Sequence, residues 1–367
     1  MHLKKLSLVN FKNYSQAELD CCPDINCFTG NNGEGKTNLL DAIHYLCFTK
    51  SFFNPLDTQN IRHDEPFFVI QGTFELKGEE EEVYCGQKRG HKKQFKRNKK
   101  EYGHLADHIG LLPCVMVSPG DSELVYEGSE ERRKFIDSII SQLDKEYLED
   151  LIAYNRALMQ RNALLRHFAE SGSFDSQNLG LWDEQLSALG TRLYARRKEF
   201  IAHFIQLFRK HFRSLSGGRE EVDIAYESQL HHGELLLQLQ AAQRKDRALE
   251  YTTVGIHKDD LEFTIGDKPI KKFGSQGQQK SLLVALRLAQ FDIVKSAKGF
   301  DPILLLDDIS DKLDESRLRR LMEMVGSHHF GQIFITDTSR QRIQGLLKGI
   351  EAEIKFFNVA GGHVEAQ

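Results

Sequence analysis

The chain has 367 residues, with 49 Lys and Arg against 53 Asp and Glu, a formal charge of −4 with His neutral. Its 40% hydrophobic and 28% charged residues are an ordinary globular balance, which excludes a disordered, collagenous or disulfide-miniprotein chain. No apolar run approaches membrane-spanning length, and the near-neutral charge argues against wholesale coating of nucleic acid while leaving room for a local basic site.

The first residues, Met1 to Ser7, lack the apolar core of a signal peptide, so no secretory leader is expected. Cys21, Cys22, Cys27, Cys47, Cys85 and Cys114 include no C-x-x-C pair, and they read as mostly buried, reduced thiols of a cytoplasmic protein. Leu6, Leu8 and Phe11 begin an alternating strand, and Ile25 to Thr29 is a short apolar strand. After Thr37, Leu39, Leu40, Ile43 and Leu46 recur at helical spacing. Phe67 to Ile70, Gly72 to Leu76 and Pro113 to Val117 read as further strands.

The pattern changes at about Ser129. Leu148, Leu151, Ile152, Leu158, Leu164 and Leu165 recur at helical steps. A polar break at Glu170-Ser171-Gly172-Ser173 precedes a second helix from Trp182 to Phe212, and a third runs from Glu234 to Ala248. From Tyr251 strands and helices alternate again. The expected organisation is one α/β domain in two parts, residues 1–128 and 251–367, interrupted by a helical arm over 129–250. The adjacent pairs His231-His232 and His328-His329 read as surface turns, because neighbouring side chains rarely converge on one metal ion.

Gly30-Asn31-Asn32-Gly33-Glu34-Gly35-Lys36-Thr37 fits G-x-x-x-x-G-K-[ST] between a strand and a helix. The glycines let successive backbone N–H groups converge on an anion, and the helix N-terminus adds its positive end. Lys36 is expected to reach the β- and γ-phosphates of ATP, and Thr37 to ligate Mg²⁺. Pro302-Ile303-Leu304-Leu305-Leu306-Asp307-Asp308 is a buried strand ending in two carboxylates. Asp307 is expected to hold Mg²⁺ through water, and Asp308 to orient or deprotonate the attacking water. Lys36 and Asp307 stand 271 residues apart, a layout that fits the ABC and SMC type of ATPase, in which an arm grows out of the head.

That class needs a Ser-Gly-Gln type signature opening a helix. Leu215-Ser216-Gly217-Gly218 is a decoy: Arg219 stands where Gln is needed and no helix begins there. Gly274-Ser275-Gln276-Gly277-Gln278-Gln279-Lys280 is the better candidate, with Leu282, Leu283, Leu286 and Ala289 on one helical face and Ser275 as N-cap. In this class Ser275, Gln276, Gly277 and Gln278 meet the γ-phosphate held by another protomer, so ATP would join two copies. Asp311, Leu313 and Asp314, within Ile309 to Asp314, match a D-loop across the same interface.

Together these residues resemble the RecF family of ABC/SMC-like ATPases. The resemblance also rests on Gly128-Ser129-Glu130-Glu131-Arg132-Arg133-Lys134-Phe135-Ile136-Asp137, on Tyr154-Asn155-Arg156-Ala157-Leu158 with Gln160-Arg161-Asn162, and on His257-Lys258-Asp259-Asp260-Leu261. It implies an α/β, ABC/SMC-type P-loop ATPase head with an inserted helical arm domain. It also implies an ATP-dependent homodimer that binds gapped or duplex-to-single-strand junction DNA and works with RecR and RecO to help load RecA. Phe11-Lys12-Asn13-Tyr14 resembles the family's nucleotide-contacting stretch, which makes Lys12 and Asn13 candidates for nucleotide binding. The chain departs from the pattern at Ile256, where Pro is usual, and at Gly120, where an acid often follows Pro119. It has no glutamine near Ser118-Pro119, and Asp337 and Thr338 occupy the place of the switch histidine. With a short Asp308 and no switch histidine, slow turnover is expected, as in a gated clamp rather than a motor.

Lys88 to Lys100 holds eight Lys or Arg and no acid, with Arg97-Asn98-Lys99 as a hairpin tip. Lys92, Lys93, Lys96, Arg97, Lys99 and Lys100 are therefore candidate DNA contacts that would release counterions from phosphate without sequence preference. Arg156, Arg161, Arg196 and Arg197 are further candidates on the arm. Two other readings compete. A transporter ATPase subunit needs a glutamine loop, which is absent, and an SMC-like structural tether needs longer heptad arms than this insertion supplies.

Overall fold

The computed structural model describes residues 1–218, 220–309, 315–326 and 330–367. The chain forms two compact units, Met1–Ser122 with Lys210–Arg219 and Ser275–Gln367, and Glu123–Arg209 with Glu220–Gly274. The second unit is thus wider than the expected 129–250 arm and is not purely helical.

In chain order, β1 (His2–Phe11) and β2 (Tyr14–Asp20) form a hairpin, followed by β3 (Ile25–Thr29) and α1 (Lys36–Phe48). β4 (Phe67–Leu76), β5 (Glu79–Lys88), β6 (Gln94–Arg97) and β7 (Lys100–Glu101) complete an antiparallel sheet in the order β2-β1-β4-β5-β6-β7. β8 (Cys114–Val117) follows. The second unit holds α2 (Glu123–Tyr126), α3 (Ser129–Leu143), α4 (Lys145–Ser171), most of α5 (Ser176–Ser216), β9 (Val222–Glu227), α6 (Leu235–Leu249), β10 (Asp260–Ile265), β11 (Lys268–Pro269) and α7 (Ile270–Phe273). The first unit resumes with α8 (Gln276–Lys298), β12 (Ile303–Leu306), α9 (Glu315–Gly326), β13 (Ile333–Asp337), α10 (Arg340–Leu346), β14 (Ile354–Ala360) and β15 (His363–Ala366). A second sheet runs β15-β14-β3-β13-β12-β8 and is parallel from β14 to β8.

Leu39, Leu40, Ile43 and Leu46 of α1 are fully buried in one core with Phe68, Ile70 and Phe74 of the antiparallel sheet and Phe28, Leu305 and Phe334 of the parallel sheet. Each such side chain contributes about 1.5–3 kcal/mol by leaving water. This packing explains why two expected strands are one. Gly72 lies inside β4, and a Cβ there would sit 2.6 Å from Leu46 Cδ1, so the glycine admits the helix instead of breaking the strand. β3 and β12 are buried along their whole length, as a parallel sheet covered on both faces requires. All six cysteines are free, and burial pushes the Cys27 thiol up to about 12, which keeps it protonated.

In the second unit β9 and β10 pair from Val222↔Ile265 to Asp260↔Glu227, and α3 packs on β10. This pairing is why 251–274 joins the arm. Gly172, at φ 66°, ends α4 at the expected polar break. Two of the arm arginines are internal. Arg161 is fully buried, with Nε 2.6 Å from Asp183 and Nη1 2.7 Å from Asp246. Arg197, 3% exposed, bonds both oxygens of Asp137, the Ile256 carbonyl and Asp259. Neither is available to DNA, which corrects their reading as candidate contacts, while Arg156 and Arg196 are exposed. Among the described residues no helix is long and apolar enough to cross a membrane.

Candidate functional site

The site gathers where β3, β12 and β13 end, at the carboxyl edge of the parallel sheet. The loop after β3 needs its glycines for space as well as for φ. A Cβ on Gly30 (φ 155°) would lie 2.1 Å from the Val359 carbonyl oxygen, and one on Gly35 (φ 113°) would lie 2.3 Å from Asn13 Nδ2. Lys36 is 5% exposed, and its Nζ donates to the carbonyls of Gly30 and Asn31 at 2.8 Å each, closing the loop into a ring. Glu34 is also fixed, accepting from the Gly361 N–H.

Asp307 joins this loop to the strand beside it. Its Oδ1 accepts from Thr37 Oγ1 at 2.9 Å and from Thr336 Oγ1 at 2.8 Å, and the residue is 1% exposed. Asp308 follows in the left-handed region at φ 44°, and its N–H donates to Thr336 Oγ1 at 2.9 Å. Lys36, Thr37, Asp307 and Asp308 are thus assembled at one place, although the chain separates them widely. Thr336 escaped the sequence reading. The available signal was a hydroxyl near the end of an otherwise apolar strand, Ile333-Phe334-Ile335. Among the described residues no cluster of three His, Cys, Asp or Glu could hold a metal by itself. The Thr37 hydroxyl and Asp307 carboxylate are hard oxygen donors of the kind Mg²⁺ takes together with nucleotide phosphates.

Lys12 and Asn13 bond to the loop and to α1. Lys12 Nζ is 2.6 Å from Asp41 Oδ2, whose carboxylate also accepts from Ser51 Oγ at 2.6 Å and Phe52 N at 2.7 Å. Asn13 Nδ2 donates to the Glu34 carbonyl at 2.8 Å, and its Oδ1 accepts from Asn38 at 2.7 Å. Tyr14 donates to the Gly35 carbonyl at 3.0 Å. In these positions they buttress the phosphate loop and α1. In place of a glutamine loop, Asp121 caps Ser118 N at 2.8 Å and is held by Arg287 at 2.6 Å. Asp337, at the switch-histidine place, is 2% exposed and caps Ser339 N at 2.7 Å.

Ser275 is the N-cap of α8 in a full capping box: its Oγ accepts from Gln278 N at 3.3 Å, and its N–H donates to Gln278 Oε1 at 2.6 Å. Among the described residues its hydrogen bonds run only to Gln278 and Gln279, and none reaches Lys36 or Asp307. Gln276 is exposed, and Gly277 has Arg317 at its Cα, where an added Cβ would meet Nη1 at 2.4 Å. The decoy Ser216-Gly217-Gly218 ends α5, with both glycines at positive φ and Gly218 N donating to the Arg213 carbonyl at 2.9 Å. The D-loop residues Asp311, Leu313 and Asp314 and the pair His328-His329 lie outside the described residues.

The basic hairpin forms as expected, with Arg97 opposite Lys100 and positive φ at Asn98 and Lys99, the two-residue turn of a tight hairpin. Its six candidate cations are not equivalent. Lys93 is 12% exposed and bonds Asp57 at 2.8 Å and the Thr49 carbonyl at 2.7 Å. Arg97 makes a two-pronged pair with Glu81, at 2.8 and 2.5 Å. Lys93 is occupied inside the head, which corrects its place among freely offered DNA contacts, and Arg97 is paired although its side chain stays 37% exposed. Lys92, Lys99 and Lys100 are exposed, and Lys96 is half-buried with its Nζ 5.5 Å from the Tyr84 ring centroid.

Residues 2–359 match the family described as RecF/RecN/SMC N terminal domain. The chain is 52% identical over 359 residues to the DNA replication and repair protein RecF of Flavobacterium johnsoniae, an alignment covering 98% of this chain and 100% of that protein. It is similar to a solved structure of the recombination mediator protein RecF with ATP in the RecFOR pathway (TM-score 0.89, 29% identity, 100% of this chain and 97% of that one). It also shares the fold of an Smc head domain from Pyrococcus furiosus (TM-score 0.59, 16% identity, 100% and 96% covered). An ABC/SMC-type α/β head with this phosphate loop, this paired-carboxylate strand and this full-length similarity places the chain in the RecF family.

Proposed function

We propose that this chain is an ATP-dependent DNA-binding repair protein of the cytoplasm. In this reading it dimerises on ATP, binds gapped or junction DNA, and is reset by slow hydrolysis. The observation that carries the reading is the assembled Lys36–Thr37–Asp307–Asp308 site in a chain 52% identical to a protein named for DNA replication and repair. On binding ATP, Lys36 exchanges two carbonyl partners for phosphate oxygens, and Thr37, with Asp307 through water, would hold Mg²⁺. Magnesium, when bound, neutralises charge on the β- and γ-phosphates. Asp308 receives or orients the proton of the attacking water. The capped, outward Ser275 and Gln276 serve the nucleotide of a second copy, and the D-loop residues belong to the same interface. RecR, RecO and RecA are the partners this family membership implies.

Gel filtration with ATP, with ADP and without nucleotide tests the switch. The expected result is a dimer with ATP only, and a monomer under all three conditions would end the reading. For DNA, this reading rests on Lys92, Lys96, Lys99 and Lys100 of the hairpin, the first, third and fourth exposed and Lys96 half-buried. Glu substitutions together at Lys92, Lys96, Lys99 and Lys100 are expected to lower affinity for duplex DNA at least tenfold and to flatten its salt dependence by about 0.9 per lost phosphate contact. Unchanged affinity and salt slope would remove the hairpin from the DNA site.

A further inference from the structure

We infer that Thr336 is a positioning residue for ATP hydrolysis, one hydroxyl that sets both carboxylates of the site; this rests on the ATPase reading above. Thr336 is fully buried near the end of β13. Its Oγ1 donates to Asp307 Oδ1 at 2.8 Å and accepts from the Asp308 N–H at 2.9 Å. A hydroxyl can do both at once because it has one proton to give and lone pairs to receive. The two bonds have different consequences. The first fixes the oxygen that Thr37 also contacts, and so orients the Asp307 carboxylate against the phosphate loop. The second holds the peptide of Asp308 where that residue has φ 44°, a left-handed conformation that is strained for a non-glycine residue and persists only where its surroundings impose it. That backbone turn aims the Asp308 carboxylate, so β13 supplies a polar brace to a strand that is otherwise apolar.

The contact is also directional. It links β12 to β13, which are parallel neighbours paired through Leu306↔Ile335, and the brace stands one step beyond that pair. A valine has the same shape and no hydroxyl, so Thr336→Val removes the brace and leaves the packing. Thr336→Ser keeps the hydroxyl and loses only a methyl.

The experiment compares wild type, Thr336→Val and Thr336→Ser as full chains. It uses single-turnover phosphate release with Mg·ATP and DNA, equilibrium Mg·ATP binding, and a crystal structure of the Val variant. Turnover is expected to fall about 10–100-fold in Thr336→Val, the range for losing an outer partner of a metal-site ligand. ATP affinity should stay within about threefold, Thr336→Ser should recover most of the rate, and Asp308 should leave the left-handed region in the Val structure. The inference is overturned by wild-type turnover in the Val variant, or by a Ser variant as slow as Val. It is equally overturned by ATP affinity falling in step with turnover, or by Asp308 keeping its positive φ without the hydroxyl. Should the Val variant melt below the assay temperature, Thr336→Ala carries the same expectations. A wild type that releases no phosphate would end the ATPase reading, and the Asp308 backbone of the Val variant would still decide the role of Thr336.

Discussion

Replacing Lys36 with Met is expected to abolish ATP binding at ordinary nucleotide concentrations, and with it ATP-dependent dimerisation. Lys36 is 5% exposed, and its ammonium makes two 2.8 Å hydrogen bonds inside the loop that it exchanges for two to phosphate oxygens when ATP binds. Charge-assisted bonds of this kind contribute about 1.5–3 kcal/mol each, so losing two of them weakens binding by roughly a hundredfold or more. The substitution also strips the donors from the Gly30 and Asn31 carbonyls, which loosens the ring that Gly30 and Gly35 make possible. Calorimetric titration with Mg·ATP measures the effect, with a thermal melt in the absence of nucleotide to show that the fold survives. An affinity within threefold of wild type would mean that Lys36 does not contact phosphate.

Replacing Arg197 with Ala is expected to destabilise the second unit by about 3–5 kcal/mol, the cost of leaving buried carboxylates without their cation. Arg197 binds Asp137 through two nitrogens, at 3.0 and 2.9 Å, and reaches Asp259 at 2.9 Å and the Ile256 carbonyl at 2.8 Å. It therefore ties α3, α5 and the segment leading into β10. Tyr147 and Tyr226 crowd the same carboxylates at 2.5 Å each, and burial raises the pKa of both phenols far above their usual value. Lys at this position is no substitute, because a point cation cannot reproduce the fork that spans Asp137 and the Ile256 carbonyl. Arg192, five residues earlier on α5, is the control. It also pairs with an aspartate, Asp150, at 2.6 Å, but is 57% exposed, so its removal should cost less than about 1 kcal/mol. Urea unfolding of both variants, followed through hydrogen exchange in α3 and β10, distinguishes them. Equal destabilisation at Arg192 and Arg197 would contradict the account.

Most of the candidate site is legible in the sequence. Gly30 to Thr37 combine steric permission, cation and hydroxyl in fixed order, and a buried apolar strand ending in Asp307-Asp308 announces itself by composition. Ser275 could be read as an N-cap because that signal is local, and the structure adds Gln278 to complete the capping box. The decoy at Ser216-Gly217-Gly218 was separable for the same reason, since a helix ends there and none begins.

What the chain alone determined is therefore the local chemistry: which loop is shaped for an anion, which carboxylates stand beside it, which helix is capped, and that an insertion interrupts an α/β head. Tertiary structure alone decided the fates of residues whose partners are distant. Lys93 and Arg97 look like free cations in a basic run, yet Asp57 and Glu81 claim them. Arg161 and Arg197 look like solvated helical arginines, yet they neutralise buried aspartates. Thr336 looks like an ordinary strand residue, yet its hydroxyl bonds both the Asp307 carboxylate and the Asp308 backbone N–H. The segment 251–274 looks like a return to the head, yet β10 pairs with β9. The physical reason is common to all four: propensity and motif act over a few neighbouring residues, whereas ion pairing, hydroxyl bridging and strand pairing depend on groups that only the folded chain brings within 3 Å or into register.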